Sequence, residues 1–235
     1  MRFRACEAAA AVGGQLHGPD VVIEGASFDS RSACGASLFV PIVSARDGHD
    51  YIVDAFAAGA AASLTNRPVR SLCLPPNRTV IEVADTAAAL MRLASWARSR
   101  QSATVVGVTG SVGKTSTKDL LAAALASTLR TACNPRSFNN EQGLPVTILN
   151  SPDDTEAMVL EMGMRARGEI ARLCAVARPA IGVITVVGAA HTEMLGGLDG
   201  VASAKAELVD ALDPSGIAVL NADDARVRAM AARTA

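Results

Sequence analysis

The chain has 235 residues, of which 50% are hydrophobic, and a formal net charge of −1, so its length allows one large domain or two small ones. This charge balance excludes the basic surface by which proteins bind nucleic acids or anionic membranes, and the five scattered cysteines indicate reduced thiols rather than disulfides or a zinc site. Because the sequence contains neither a signal-peptide pattern nor an apolar run of about 18 residues, we expect a soluble, cytoplasmic protein with small-molecule partners.

The first hundred residues alternate short strand patterns with alanine-rich helical patterns. Strands are predicted at 21–26, 38–43, 62–65, 71–74 and 79–83, and a short helix at 51–58. A longer helix is predicted from Asp85, its expected N-cap, to about residue 100, with Leu90, Leu93, Ala94 and Ala97 on one face. These patterns indicate a small mixed α/β domain over residues 1–100.

After a boundary at 101–103, strand and helix patterns alternate strictly over residues 104–235. Strands are predicted at 104–109, 157–161, 180–187 and 217–221, and helices at 114–129, 169–177, 201–212 and 224–232. Such an alternation is typical of a parallel, doubly wound sheet. The predicted fold class is therefore α/β in both regions.

The strand at 104–109 runs into Gly110-Ser111-Val112-Gly113-Lys114-Thr115-Ser116 at the start of a helix. A buried strand, a glycine turn and a helix N-terminus together favour phosphate binding, because the backbone can approach an anion and offers N–H groups to it. Lys114 would then contact the outer phosphates, and the Thr115 hydroxyl would ligate Mg²⁺. Val108 replaces the first glycine of the standard motif, so a chance glycine-rich turn is the alternative.

Lysine is rare in this chain, which uses arginine for most of its 22 basic residues. The lysines are Lys114, Lys118 and Lys205, and we expect lysine to be kept where an amine is needed. Lys118 is the exception, since it is predicted to be a solvated helix residue.

Polar residues that end apolar strands are the next candidates, because ligands bind beyond the carboxyl ends of such strands. Glu161 is either a metal ligand or an ordinary solvated carboxylate, and His191 alone is more typical of a loop. Lys205 by itself is more typical of a helix surface. Asn221 either contacts an adenine edge or begins an Asx turn. These spacings predict a magnesium-nucleotide site and no particular reaction.

Taken together, these motifs resemble those of the Mur ligases of peptidoglycan synthesis, most closely the MurF type, over essentially the whole chain. The segments that carry the resemblance are 29–31, 38–40, 47–51, 109–118, 139–145, 161–163, 168–170, 190–191, 204–205 and 221–224. The resemblance implies a UDP-sugar domain at 1–100 and a truncated ATP-binding domain at 104–235, without the family's C-terminal Rossmann-like domain. We therefore expect the chain to be a fragment that cannot complete ligation alone.

The resemblance also implies roles for individual residues. The implied ATP contacts are Gly110, Ser111, Gly113, Lys114, Thr115, Ser116 and Asn221. The implied metal ligands are Thr115, Glu161, His191 and a carbamylated Lys205, with Lys114, His191 and Lys205 as the catalytic groups. Ser30, Arg31 and His49 would face the UDP-sugar, and Asn139 and Asn140 would line the route to the acceptor site.

The implied reaction is ATP- and Mg²⁺-dependent amide formation by a monomeric enzyme. The terminal carboxylate of a UDP-MurNAc-tripeptide would attack the γ-phosphate of ATP, and the amine of D-Ala-D-Ala would displace phosphate from the resulting acyl phosphate. The alternatives are a related ligase, of the MurE type or a folylpolyglutamate synthase, and a P-loop nucleotide-binding module without ligase activity.

Overall fold

The computed structural model describes residues 1–136, 138–189 and 195–234. The chain forms two compact units, the first comprising Met1–Arg100 and Ile148–Asp153 and the second Gln101–Thr147 and Asp154–Ala235. Within the described ranges, no helix combines the length and apolar character needed to cross a membrane. Both units are mixed α/β, which confirms the predicted fold class.

The first unit is built on a mixed five-stranded sheet. The unit has seven strands, of which five form this sheet: β1 (Arg2–Arg4), β2 (Gln15–His17), β3 (Val22–Glu24), β4 (Ala26–Ser27), β5 (Leu38–Phe39), β6 (Ala62–Thr65) and β7 (Thr79–Glu82). The α-helices of residues 1–100 are α1 (Ala5–Val12), α2 (Ile52–Ala58) and α3 (Thr86–Ser99). The sheet order is β2-β7-β6-β5-β4, with β2 antiparallel to β7 and the other pairs parallel. Strands β1 and β3 form a separate antiparallel pair.

Helix α3 forms as its sequence predicts. The Asp85 carboxylate accepts hydrogen bonds from the backbone N–H groups of Ala87 and Ala88, at 2.8 and 2.9 Å, and so satisfies donors that have no partner within the helix. The predicted apolar face is fully buried, comprising Leu90, Leu93, Ala94 and Ala97. A further core cluster of this unit contains Phe39, Ile52, Phe56 and Val80.

Three strand predictions in the first unit are wrong in detail. The strand predicted at 38–43 is shortened to β5, which ends at Phe39 before Pro41. Residues 71–74 are not a strand, because Pro68, Pro75 and Pro76 lack backbone N–H donors, and the chain instead forms a 3₁₀ turn at Val69–Ser71. The predicted strand at 21–26 is divided at Gly25, whose φ of 73° is outside the β region. Its two parts pair with different strands, since β3 pairs with β1 and β4 with β5.

The second unit contains a parallel five-stranded sheet. Its strands are β8 (Thr104–Thr109), β9 (Thr131–Cys133), β10 (Ala157–Glu161), β11 (Ile181–Ile184) and β12 (Ile217–Leu220). The helices that follow Gln101 are α4 (Lys114–Ala126), α5 (Gly143–Asn150), α6 (Glu169–Ala177), α7 (Leu198–Asp210) and α8 (Ala225–Ala229). The strand order is β12-β11-β8-β10-β9, with every pair parallel. Strand β9 and helix α5 were not predicted.

The register of this sheet brings three strand ends together. Strand β8 is central, with Val108 opposite Glu161 of β10 and Thr109 opposite Ile184 of β11. Buried apolar side chains of β8 and β10 hold the sheet in place, among them Val106, Val108 and Val159. Because parallel strands end at the same edge, the residues that follow β8, β10 and β11 lie side by side.

Candidate functional site

The loop between β8 and α4 has a backbone that requires glycine. Gly110 has a φ of 152° and Gly113 a φ of 84°, and α4 begins at the next residue, Lys114. A Cβ on Gly110 would lie 1.9 Å from Oγ1 of Thr185, which itself donates a hydrogen bond to Val112 O at 2.6 Å. The loop thus packs closely against Thr185, the first residue after β11, and leads directly into the N-terminus of α4, as in an anion-binding loop.

Residues after β11 fix this loop. The Ser111 backbone N–H donates to Val186 O at 2.8 Å, and its hydroxyl oxygen accepts from the Gly188 N–H at 2.8 Å. The Ser111 hydroxyl is therefore used to hold the loop. Lys114 Nζ donates to Gly110 O at 2.9 Å, while Ser116 is exposed in the first turn of α4.

Glu161 is the buried acid of the site. Its Oε2 accepts a hydrogen bond from Thr115 Oγ1 and its Oε1 one from Asn139 Nδ2, both at 2.7 Å. Only 1% of Glu161 is exposed, so the alternative of a solvated strand-end carboxylate is wrong. Sheet order explains the burial, since Glu161 is the last residue of β10, and β10 lies between β8 and β9.

The pair of Thr115 and Glu161 fits a divalent cation. Among the described residues, Glu161 forms no ion pair and accepts only from neutral groups, and a buried carboxylate of this kind favours a positive partner. Within 1–136, 138–189 and 195–234, no group of three or more His, Cys, Asp or Glu side chains is arranged so that it could hold a metal ion by itself. This donor set therefore suits Mg²⁺, which typically combines one or two protein oxygens with substrate phosphates and water.

Lys205 lies in the same region, on α7. It is 4% exposed, which rules out the surface-lysine alternative, and no hydrogen bond joins its amine to a described residue. Burial, and secondarily the positive charge of Lys114, lowers the pKa of Lys205 from 10.5 to about 8. Glu207 on the same helix accepts from the N–H groups of Gly168 and Ala171, which fixes α7 against the start of α6.

A cleft of about 390 Å³ connects several of these groups within the second unit. Predicted residues that line it are Gly110, Ser111, Lys114, Asn139, Asn140 and Lys205. Asn140 also uses its Oδ1 to accept from the N–H groups of Gln142 and Gly143, at 3.1 and 2.9 Å, at the start of α5. The cleft thus brings the glycine loop, the amines of Lys114 and Lys205, and the amides of Asn139 and Asn140 around one cavity.

Asn221 forms the Asx turn that was one of its two interpretations. Its Oδ1 accepts from the Asp223 N–H at 3.0 Å, and its Nδ2 donates to Thr185 O at 2.8 Å. Its contact with adenine stays a prediction. His191, predicted as a metal ligand, lies outside the described residues.

The predicted sugar-binding residues lie in 3₁₀ turns of the first unit. Ser30 and Arg31 belong to the turn Ser30–Ser32, and the exposed Arg31 guanidinium contacts Asp29 at 2.7 Å. Their contact with a UDP-sugar stays a prediction.

His49 is buried in the first unit, and its predicted role in UDP-sugar binding stays a prediction. Its side chain has no exposed surface, Nδ1 lies 2.6 Å from Asp47 Oδ1, and Nε2 accepts from the Asn66 N–H at 3.2 Å. The His49 backbone N–H, its ring and the Arg67 guanidinium lower the pKa of Asp47 to about 2. Since both ring nitrogens are engaged, His49 holds this turn in place.

Sequence reasoning missed three residues of the site. Lys118 was predicted to be solvated, but it is 2% exposed and its Nζ donates to Asn134 O at 2.7 Å, so that prediction is wrong. Asn134 and Thr185 were not selected at all. Thr185 lay inside the strand predicted at 180–187, which in the structure ends at Ile184, and Asn134 follows a strand that the sequence did not predict.

Comparison with known proteins agrees with this geometry. Residues 108–235 match the family described as the Mur ligase middle domain. The UDP-N-acetylmuramoyl-tripeptide–D-alanyl-D-alanine ligase of Bacillus subtilis is 42% identical over 204 residues, which cover 86% of this chain and 44% of that protein.

Solved structures give the same result. A crystal structure of MurF from Acinetobacter baumannii has a TM-score of 0.88 at 26% identity and covers 100% of this chain and 52% of that one. MurF from Thermotoga maritima in complex with ADP has a TM-score of 0.78 at 34% identity and covers 90% and 48%. The chain thus spans about half the length of the relatives it matches. Because the family match covers more than half of its residues, the chain belongs to the Mur ligase family.

Proposed function

We propose that this chain supplies the ATP-binding site and the UDP-sugar domain of a MurF-type ligase, which joins D-Ala-D-Ala to a UDP-MurNAc-tripeptide at the expense of ATP. The observation that carries the proposal is the cleft of the second unit. The Gly110–Lys114 loop, Lys205 and Asn139 line it, and Asn139 holds the carboxylate that also accepts from Thr115. Similarity to ligases of this name supports the choice of substrates.

The chain's own residues fit the binding of a nucleoside triphosphate. The loop N–H groups and the N-terminus of α4 attract the phosphates, and Lys114 can turn from its bond with Gly110 O to an outer phosphate. Thr115 and Glu161 would hold Mg²⁺. That ion would neutralise the charge which otherwise keeps a substrate carboxylate away from the γ-phosphate.

Lys205 has the surroundings required of an amine that becomes a carbamate. Only the neutral amine adds CO₂, with loss of one proton, and burial makes that form available near pH 8. The product would be a carboxylate-like ligand in the same cleft as Lys114. A role of His191 in metal binding, a monomeric state and a cytoplasmic location belong to the proposal as well.

Binding of the donor substrate separates this proposal from its alternatives. Isothermal calorimetry on the chain should detect UDP-MurNAc-tripeptide, with weaker uptake of the corresponding dipeptide form. Preference for the dipeptide would favour a MurE-type ligase, and binding of a folate in place of a UDP-sugar would favour a folylpolyglutamate synthase. Uptake of Mg-ATP alone, with neither donor, would contradict the proposal and leave a nucleotide-binding module.

A further inference from the structure

Asn134 is a fully buried residue at the end of β9 that no part of the proposed reaction uses. Its side-chain Oδ1 accepts from the Glu161 backbone N–H at 2.8 Å, and its Nδ2 donates to Glu161 O at 2.9 Å. The last backbone pair of β9 and β10 joins Cys133 to Val159. The Asn134 side chain therefore continues the pairing of β9 with β10 past its last backbone pair, and it holds both the backbone N–H and the backbone C=O of Glu161.

The same amide holds the loop that carries Asn139. Asn134 Nδ2 also donates to Phe138 O at 2.8 Å, and Phe138 immediately precedes Asn139. The Asn139 side chain in turn donates to Glu161 Oε1 at 2.7 Å. Asn134 thus holds the backbone of Glu161 and the backbone next to Asn139, the two residues that this hydrogen bond joins.

Lys118 connects this arrangement to the helix of the phosphate-binding loop. It lies one turn after Lys114 on α4, it is 2% exposed, and its Nζ donates to Asn134 O at 2.7 Å. A buried ammonium group is unfavourable unless its donors are used, and further acceptors are Arg136 O at 3.4 Å and the Asp119 carboxylate at 3.0 Å. The bond to Asn134 therefore ties α4, which also carries Thr115, to the residue that holds Glu161.

We infer that Asn134, supported by Lys118, is the positioning residue that presets the Glu161 carboxylate beside Thr115 for a divalent cation. The inference rests on the proposed function, because the cation would arrive with the nucleotide. Groups that orient a metal ligand typically change metal affinity about 10- to 100-fold when they are removed. Asn134 should accordingly affect the magnesium-dependent part of nucleotide binding and leave the phosphate loop itself intact.

The test compares ADP affinity with and without MgCl₂ by isothermal calorimetry on the whole chain. Asn134→Leu removes all three side-chain hydrogen bonds while keeping the branching and the number of side-chain heavy atoms. Without magnesium, we expect its affinity for ADP to stay within about twofold of that of the unchanged chain. The magnesium gain, which is the ratio of ADP affinity with MgCl₂ to that without, should fall about 10-fold or more. Lys118→Met should reduce the same gain by a smaller factor.

Asn150→Leu is the matched control in the first unit. Asn150 makes the same kind of contact, accepting from Ala26 N at 2.8 Å and donating to Ala26 O at 3.0 Å, so its loss should leave both ADP affinities unchanged. A folded Asn134→Leu chain that retains the full magnesium gain would overturn the inference. If that variant does not fold, an unaltered gain in Lys118→Met overturns it instead.

The unchanged chain separates this inference from the proposed function. If it takes up ADP with no response to magnesium, the proposed function fails and the positioning role fails with it. If it responds to magnesium and the response is unaffected by both variants, only the positioning role fails.

Discussion

Gly110 is the residue whose replacement tests the loop most sharply. In Gly110→Ala the new Cβ would meet Thr185 Oγ1, and relief by rotation of Thr185 would break its bond to Val112 O. Together with the unfavourable φ of 152°, we expect a loss of about 1–3 kcal/mol in the free energy of unfolding of the second unit, with weaker ADP binding. Urea unfolding and calorimetry measure the two effects.

Gly13→Ala is the control for backbone strain alone. Gly13 also has a positive φ, of 66°, but no atom lies within 4 Å of the Cβ position, and it is in the first unit. It should lower stability slightly and leave ADP affinity unchanged. Equal loss of ADP affinity in both variants would contradict the close approach at Thr185.

Lys205 gives a prediction that depends on pH. At constant bicarbonate the amount of carbamate should follow the fraction of neutral amine, which rises from ~10% at pH 7 to ~90% at pH 9 for a pKa of about 8. An ordinary lysine would remain almost fully charged over this range. With ¹³C-bicarbonate, MgCl₂ and ADP, NMR should show a carbamate signal that rises with pH.

That signal should disappear in Lys205→Ala and persist in Lys118→Met, because Lys118 is engaged with Asn134 O. A signal that survives in Lys205→Ala would show that another amine is modified. No signal in the unchanged chain would contradict the role proposed for Lys205.

The burial of individual polar side chains could not be predicted from the sequence. Lys118 and Lys205 are both helical lysines that sequence alone would place on a surface, yet both are buried, at 2% and 4% exposed. The same holds for Glu161, because the position of its strand β10 inside the sheet depends on the sheet order. The loop at Gly110–Lys114 was predictable, because glycine spacing and helix start are local signals.

Among the secondary-structure elements, helix α3 tests how much its N-cap residue, Asp85, stabilises the start of the helix. In Asp85→Ala the N–H groups of Ala87 and Ala88 lose their acceptor, and we expect the first unit to lose about 1 kcal/mol of its free energy of unfolding. Urea unfolding followed by circular dichroism measures this. Nucleotide affinity should not change, because the nucleotide site lies in the second unit.

Asp85→Asn is the conservative control, since its amide oxygen can accept the same hydrogen bonds. It should restore stability to within a few tenths of a kcal/mol. A loss in Asp85→Asn as large as in Asp85→Ala would mean that charge, rather than the cap geometry, stabilises this helix end.

Elements with strong periodicity were predicted well, and short elements were not. The limits of β6, β8, β10 and α6 agree with the sequence prediction, because each has a clear apolar pattern bounded by polar or glycine residues. Strand β9 has three residues, and α5 contains Pro145 in its first turn, so local patterns gave no signal for either. Both matter for function, since they flank the segment with Asn134 and Asn139.

For the whole molecule, we propose that the two units bind different substrates. The second unit contains the cleft, the phosphate loop and the buried acid, and it overlaps most of the Mur ligase middle domain match. The first unit contains the turns with Ser30, Arg31 and the buried His49. Donor-substrate uptake is expected in the first unit and nucleotide uptake in the second.

Calorimetry of ADP binding in the presence of MgCl₂ tests the central claim most directly. Lys114→Ala removes the amine that would contact the outer phosphates, and we expect affinity to fall on the order of 10- to 100-fold. Arg130→Ala removes an exposed cation of the same unit that pairs with Asp154 and Glu156, and it should have no effect. Failure of the folded chain to bind Mg-ADP, or equal binding by Lys114→Ala, would contradict the account.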